Sequence, residues 1–86
     1  KARTVTINGT PINVTLKEFD LLLFLMRHKN QALSREQLLE HVWEGSYGSS
    51  LRTVDTHIKT LRMKLKEADY IQTVWGIGYK MGDGHA

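Results

Sequence analysis

Positively charged side chains concentrate in one short segment of this chain, between residues 52 and 66. The segment contains Arg52, Lys59, Arg62, Lys64 and Lys66, opposed by the single acid Asp55. Arginine and lysine bind phosphate oxygens and guanine edges, while threonine hydroxyls and a carboxylate can add contacts to phosphates or other bases. The chemistry that these residue types allow is therefore recognition of a polyanion, and of duplex DNA in particular.

The spacing of this segment predicts an amphipathic helix from Leu51 to Glu67. At about 100° per residue, one narrow apolar stripe contains Val54, Ile58, Leu61 and Leu65. The opposite side carries Arg52, Thr56, Lys59 and Met63, with Asp55 and Arg62 at one flank and His57 at the other. A charged helical face by itself is most often a solvated one. The elements on either side of the helix must therefore decide its role.

Two capping boxes predict two earlier helices. Thr15 and Glu18 open the first helix, which ends at the polar run 28–31, and Ser34 and Gln37 open the second, which runs to Trp43. In each box the hydroxyl and the longer side chain satisfy backbone N–H groups that a helix start leaves unpaired. Glycine and serine then predict a loop from Glu44 to Ser50.

Hairpins are predicted at both ends of the chain. Alternating apolar residues flank Asn8-Gly9, the strongest short hairpin signal, so two strands are expected between Val5 and Val14. The segments 71–75 and 79–81 bracket a glycine-containing turn at 76–78 and predict a second hairpin. The expected fold is α+β: a winged helix-turn-helix with an N-terminal antiparallel sheet, three helices and a C-terminal β-hairpin wing. In that arrangement the third helix enters the major groove and the wing reaches the minor groove or the backbone.

Two other binding roles fit a winged helix. A protein-interaction module would expose apolar residues where this chain has Arg52, Thr56 and Lys59, and Met63 is the only large apolar residue on that side. Double-stranded RNA has a deep, narrow major groove that does not admit a helix. The sequence therefore favours duplex DNA over both.

Four segments resemble the DNA-binding domains of OmpR/PhoB-type bacterial response regulators. They are residues 16–22, residues 34–43, the third helix at residues 52–65, and the wing at residues 71–80. The resemblance extends from Val5 to Met81, in order and at the family's spacing. It implies sequence-specific DNA binding as the output of a two-component system, and a four-stranded N-terminal sheet where the residues alone predict two strands.

The resemblance also implies roles for individual residues. In the family, the residues at six of these positions contact backbone phosphates: Arg35, Trp43, Arg52, Thr53, His57 and Lys59. Residues at the positions of Asp55, Thr60 and Arg62 approach base edges, and those of Thr73, Trp75 and Tyr79 lie on or near the wing. Thr56 joins the DNA-facing residues through its place on the helix. Two positions depart from the family pattern: many relatives have a minor-groove arginine where this chain has Trp75, and some have arginine at Thr60.

The sequence gives little support for catalysis, metal binding or cofactor binding. His28, His41, His57 and His85 share no i, i+3 or i+4 spacing, and the chain has no cysteine. The glycines at 76 and 78 lack the spacing and context of a dinucleotide-binding loop. No enzyme activity, no metal and no cofactor is therefore expected. The strongest apolar run, residues 21–26, is far shorter than a membrane span of roughly 20 residues.

A length of 86 residues predicts one domain, residues 1–86. Because the chain begins at Lys1, we expect a piece of a longer protein. The resemblance implies a receiver domain upstream, through which a sensor kinase acts, and a dimer on promoter direct repeats. It further implies a contact of the Glu44–Ser50 loop with RNA polymerase, and a cytoplasmic location.

Overall fold

The computed structural model describes residues 3–7, 9–44, 48–65 and 70–82. Its elements are, in order, β1 Arg3–Ile7, β2 Thr10–Val14, α1 Leu16–Arg27, β3 Leu33–Ser34, α2 Arg35–Trp43, α3 Leu51–Leu65, β4 Ile71–Val74 and β5 Gly78–Met81. The predicted α+β order of strands, three helices and a final hairpin is confirmed.

The first hairpin pairs β1 with β2 in an antiparallel register that opposes Arg3 to Val14 and Ile7 to Thr10. Two residues connect the strands, and Gly9 adopts a φ of 83°, which suits glycine in such a turn. The other turn residue, Asn8, lies outside the described residues. The hairpin forms a two-stranded sheet, and the two further strands that the resemblance implies are not among the described residues.

Both predicted capping boxes are present. The Thr15 hydroxyl accepts from the Glu18 amide at 3.2 Å, while Glu18 Oε1 accepts from the Thr15 amide at 2.9 Å. At α2 the Ser34 hydroxyl accepts from the Gln37 amide at 3.0 Å, and Gln37 returns the contact to the Ser34 amide at 2.8 Å. These reciprocal bonds fix where α1 and α2 begin.

The predicted stripe of α3 is the centre of the core. Val54, Ile58, Leu61 and Leu65 are all buried. They pack with residues from α1, α2 and the strands, including Leu21, Leu25, Leu38, Val42 and Ile71. The predicted last residues of this helix, Lys66 and Glu67, lie outside the described residues. Burial of the stripe turns the opposite side of α3 outward.

The hairpin of β4 and β5, residues 71–81, is called the wing here. Strand β3 pairs with β5, which gives a three-stranded sheet in the order β3-β5-β4. The sequence did not predict β3, and it misplaced two wing residues: Trp75 lies in the turn rather than in a strand, and Gly78 lies in β5. Gly76 supplies the positive φ of the turn, at 82°. Gly78 instead allows close approach, because a Cβ there would clash with the Leu33 carbonyl oxygen.

Candidate nucleic-acid interface

The outward side of α3 carries Arg52, Thr56, Lys59 and Met63, and all four are exposed. We call these residues the exposed face of α3. Two cations and a hydroxyl precede Met63 along this face, and Met63, near the end of the helix, is 67% exposed. Met63 was not among the predicted site residues, although its position opposite the apolar stripe could have identified it. The face combines charge for phosphates with groups that can contact base edges.

On the flank towards the wing, Asp55 is held by two donors. Arg35 Nη1 lies 2.9 Å from Asp55 Oδ2, and the Tyr79 hydroxyl donates to Asp55 Oδ1 at 2.7 Å. Burial, followed by the hydrogen bond to Asp55 and its negative charge, raises the pKa of Tyr79 above its usual value of 10.0. Three predicted site residues are thus brought together, and Asp55 joins α2, α3 and the wing.

Arg62 lies on the same flank and contacts β4 directly. Its Nε donates to the Ile71 carbonyl at 2.9 Å, and its Nη2 donates to the Thr73 hydroxyl at 2.7 Å. The guanidinium also lies 5.4 Å from the centre of the Tyr79 ring. Arg62 and Thr73, predicted as separate DNA contacts, therefore meet each other, and together they fix the angle between α3 and the wing.

Thr60 lies on the opposite flank and faces α1 rather than the wing. Its hydroxyl donates to Glu18 Oε2 at 2.8 Å, and Lys64 Nζ lies 2.6 Å from Glu18 Oε1. Burial alone would raise the pKa of Glu18. The hydrogen bonds from Lys64, the Thr15 amide and Thr60, with the positive charge of Lys64, more than offset burial and hold this pKa below 4.5. The Thr60 hydroxyl is engaged within the protein, away from the other predicted base-reading residues.

Three further predicted residues, Thr53, His57 and Trp43, lie where the start of α3 meets the end of α2. The Thr53 hydroxyl accepts from the Ser50 amide at 3.2 Å, and the Thr53 backbone carbonyl lies 2.9 Å from His57 Nδ1. Because a carbonyl only accepts, the hydrogen of this contact is on Nδ1. Trp43 is buried and meets the His57 ring edge-on at 5.0 Å between centroids. The indole therefore positions His57 mainly by packing.

The wing tip, residues 75–77, extends away from these contacts. Trp75 is 90% exposed and Ile77 is 52% exposed. A pocket of about 420 Å³ lies between the wing and the start of α2, beside the contact of Tyr79 with Asp55, and its lining includes Arg35, Glu36, Asp55 and Trp75. The exposure of Trp75 places its side chain outside the hairpin core.

Two further findings bear on other functions. In the parts of the chain that the structure describes, no group of three or more His, Cys, Asp or Glu side chains could hold a metal ion. Within the same ranges, no helix has the length and apolar character needed to cross a membrane.

A basic helix presented by two capped helices and tied to a β-hairpin defines a winged-helix DNA-binding domain. Residues 9–81 match the family described as "Transcriptional regulatory protein, C terminal". The chain belongs to this family, which is one of transcriptional regulators and not of enzymes. The predicted role, a DNA-binding output domain of two-component response regulators, is confirmed at the level of the family.

Individual relatives agree with this assignment. The chain is 51% identical over 86 residues to the uncharacterized transcriptional regulatory protein YclJ of Bacillus subtilis (strain 168), an alignment covering 96% of this chain and 38% of YclJ. The response regulator DrrB of Thermotoga maritima, an OmpR/PhoB homologue, matches with a TM-score of 0.83 and 38% identity, over 93% of this chain and 38% of DrrB. The AdeR DNA-binding domain, solved with an intercistronic region, matches with a TM-score of 0.78 and 27% identity, over 95% of this chain and 86% of that domain.

Proposed function

We propose that this domain binds duplex DNA with the exposed face of α3 in the major groove and the wing at the minor groove. The observation that carries the proposal is the exposed face itself: Arg52, Thr56, Lys59 and Met63 are exposed, while the apolar stripe on the other side of α3 is buried in the core. A helix fits the width of the major groove. The contacts of Asp55 and Arg62 keep the wing at a fixed angle beside that helix.

Within this proposal, phosphates are bound from both ends of the interface. Arg52 and Lys59 are exposed cations, and Arg35, at the start of α2, pairs with Asp55 on the same helix as these two cations. His57 and Thr53 flank the exposed face, with Trp43 packed behind His57. Each phosphate contact adds affinity without selecting a sequence.

Base reading is assigned to the middle of the exposed face and its wing-side flank. Thr56 and Met63 can contact thymine methyl groups. Arg62 uses two of its five N–H donors in hydrogen bonds to the wing, so the remaining donors can reach a base edge. Asp55 already accepts from Arg35 and Tyr79, so a base donor would have to share its carboxylate oxygens with them. Thr60 can donate to a base only if its hydroxyl leaves Glu18.

The wider context is also a proposal. The chain spans 38% of the length of YclJ and 35% of SrrA, another curated relative, from Staphylococcus aureus. We infer a cytoplasmic regulator in which an upstream receiver domain takes its signal from a sensor kinase and pairs two copies on direct repeats. The loop from Glu44 to Ser50, of which residues 45–47 lie outside the described residues, would contact RNA polymerase.

The test is selection of bound duplexes from a random pool, followed by titration of the selected site at several salt concentrations. We expect Lys59→Ala to weaken binding to every sequence and to reduce the slope of log K against log salt by about 0.9. Arg27→Ala, which removes an exposed cation at the end of α1, is the matched control and should leave the slope unchanged. Absence of any salt-sensitive duplex binding by the wild-type domain would contradict the proposal.

A further inference from the structure

The tip of the wing exposes the largest apolar side chain on the described surface. Trp75 is 90% exposed and Ile77, two residues on, is 52% exposed, whereas Trp43 is only 4% exposed. An indole offers a large apolar area that water solvates poorly. Adjacent exposed apolar side chains of this kind commonly mark a binding surface.

This tip is held in place by contacts lower in the wing. Gly76 turns the chain with a φ of 82°, and the Ile77 amide donates to the Val74 carbonyl at 3.0 Å. Below the turn, Arg62 bonds to β4 and Tyr79 bonds to Asp55 on α3. The exposed pair therefore sits at the end of a hairpin that is bonded to α3, and it lines one pocket with Arg35 and Asp55, two residues of the proposed DNA interface.

The wing has an unusual charge pattern for a DNA contact. The ten residues from Tyr70 to Tyr79 include no Asp, Glu, Lys, Arg or His. The tip has no charged side chain that could pair with a phosphate, and Lys80, the one cation of the wing, lies in β5. The exposed side chains of Trp75 and Ile77 therefore offer a duplex mainly apolar surface. In the minor groove, such surface can pack on deoxyribose or enter between base pairs as a wedge, which partly unstacks a step.

We propose that Trp75 and Ile77 form an apolar wedge that binds the minor groove and selects sequences by their deformability. This inference rests on the proposed function and assigns it a second source of specificity. Pyrimidine–purine steps unstack and kink most easily, so the site should favour such a step beneath the wing. Base edges in the major groove are read independently by α3.

The first experiment measures the affinity of the wild-type domain, Trp75→Ala and Trp75→Arg for the selected duplex across a range of salt. Trp75→Ala loses an aromatic contact with a base, so its affinity should be about five-fold or more below that of the wild type. Because no ion pair is lost, the salt slope of Trp75→Ala should equal that of the wild type. Trp75→Arg should steepen the slope by about 0.9, as expected for one added phosphate contact. Met26→Ala, which shortens an exposed apolar side chain on α1, is the control and should leave affinity unchanged.

The second experiment varies only the base step beneath the wing, keeping the major-groove half-site constant. Wild type should prefer TpA or CpA at that position over ApT or GpC, and Trp75→Ala should lose the preference. Subtracting the emission of Trp75→Phe from that of the wild type isolates the Trp75 signal, which should change when the duplex is added.

The outcomes separate this inference from the function on which it rests. If Trp75→Ala binds a single site as tightly as the wild type, the wedge is wrong while DNA binding stands. A loss seen only when two copies occupy adjacent sites would overturn the wedge in favour of a protein contact. If the wild type binds no duplex, the proposed function itself fails.

Discussion

Asp55, which the sequence predicts to approach a base edge, also links three elements of the fold. Its two oxygens accept from Arg35 and from Tyr79, which belong to different elements. Each of these oxygens can accept a further hydrogen bond, but the two protein donors fix the orientation of the carboxylate, and a base would have to share it with them. We therefore infer that Asp55 acts on recognition chiefly by setting the position of the wing and of Arg35.

The Tyr79 hydroxyl gives this link a testable dependence on pH. Its folded-state pKa is raised, so its contribution to stability is complete below the usual value of 10.0 and is lost as pH rises through the folded pKa. In Tyr79→Phe the stability above pH 10.0 should fall less steeply than in the wild type. Denaturant unfolding at several alkaline pH values measures this. Tyr70→Phe, a tyrosine outside the Asp55 network, is the control, and equal alkaline losses in wild type and Tyr79→Phe would contradict the assignment.

Between elements, the buried carboxylate of Glu18 joins the start of α1 to the end of α3. It caps α1 through Thr15 and receives Thr60 and Lys64 from α3. We expect Glu18→Gln to lower the free energy of unfolding by about 1–3 kcal/mol near neutral pH, towards the lower end because Lys64 is partly exposed. The difference should vanish on acidification.

The sign follows from the lowered pKa of Glu18. The ionised Glu18 carboxylate contributes fully to the free energy of unfolding above pH 4.5, the pKa of this group in the unfolded chain. That contribution disappears as the pH falls through the lower pKa of the folded state. Unfolding of both proteins by urea between neutral and acidic pH measures it. Glu36→Gln, an exposed glutamate in the first turn of α2, controls for the loss of one charge. If the difference in free energy of unfolding between the wild type and Glu18→Gln is the same at all pH values, the ionised carboxylate does not cause it.

The wing depends on a close approach between backbones at Gly78. A methyl group there would meet the Leu33 carbonyl oxygen, so Gly78→Ala should disturb the pairing of β3 with β5 and destabilise the domain by about 1–3 kcal/mol. Gly76→Asn is the matched variant, because asparagine tolerates positive φ and nothing lies within 4 Å of an added Cβ. Thermal unfolding should show a clear loss for the first variant and a small one for the second.

The elements that the sequence predicted well are those encoded by neighbouring residues. The boxes at Thr15 and Ser34 each place a helix start within four residues, and the stripe of α3 repeats over about three turns. Strand β3 has only two residues, too short for any periodicity. Its existence depends on β5, which is far away in sequence.

The candidate site divides in the same way. The exposed face of α3 follows from helical periodicity, so Arg52, Thr56 and Lys59 were predicted as DNA-facing and are exposed. The partners of Asp55, Thr60 and Arg62 lie on other elements, so no local pattern indicates whether these side chains face a groove or the protein. The role of Gly78 was missed for the same reason: its neighbour Leu33 is 45 positions earlier.

At the scale of the whole molecule, this domain presents one recognition helix and one wing, which suit one half-site. The isolated domain should therefore bind two direct repeats independently, with an affinity per half-site that does not depend on their spacing. The longer protein, if an upstream domain pairs two copies, should bind them cooperatively only when both lie on one side of the duplex. Inserting about 5 bp between the repeats should abolish that cooperativity, and inserting about 10 bp, roughly one helical turn, should restore much of it. Quantitative gel-shift titration of both proteins on the three spacings measures the effect. Cooperative, spacing-dependent binding by the isolated domain would instead place the pairing surface within residues 1–86.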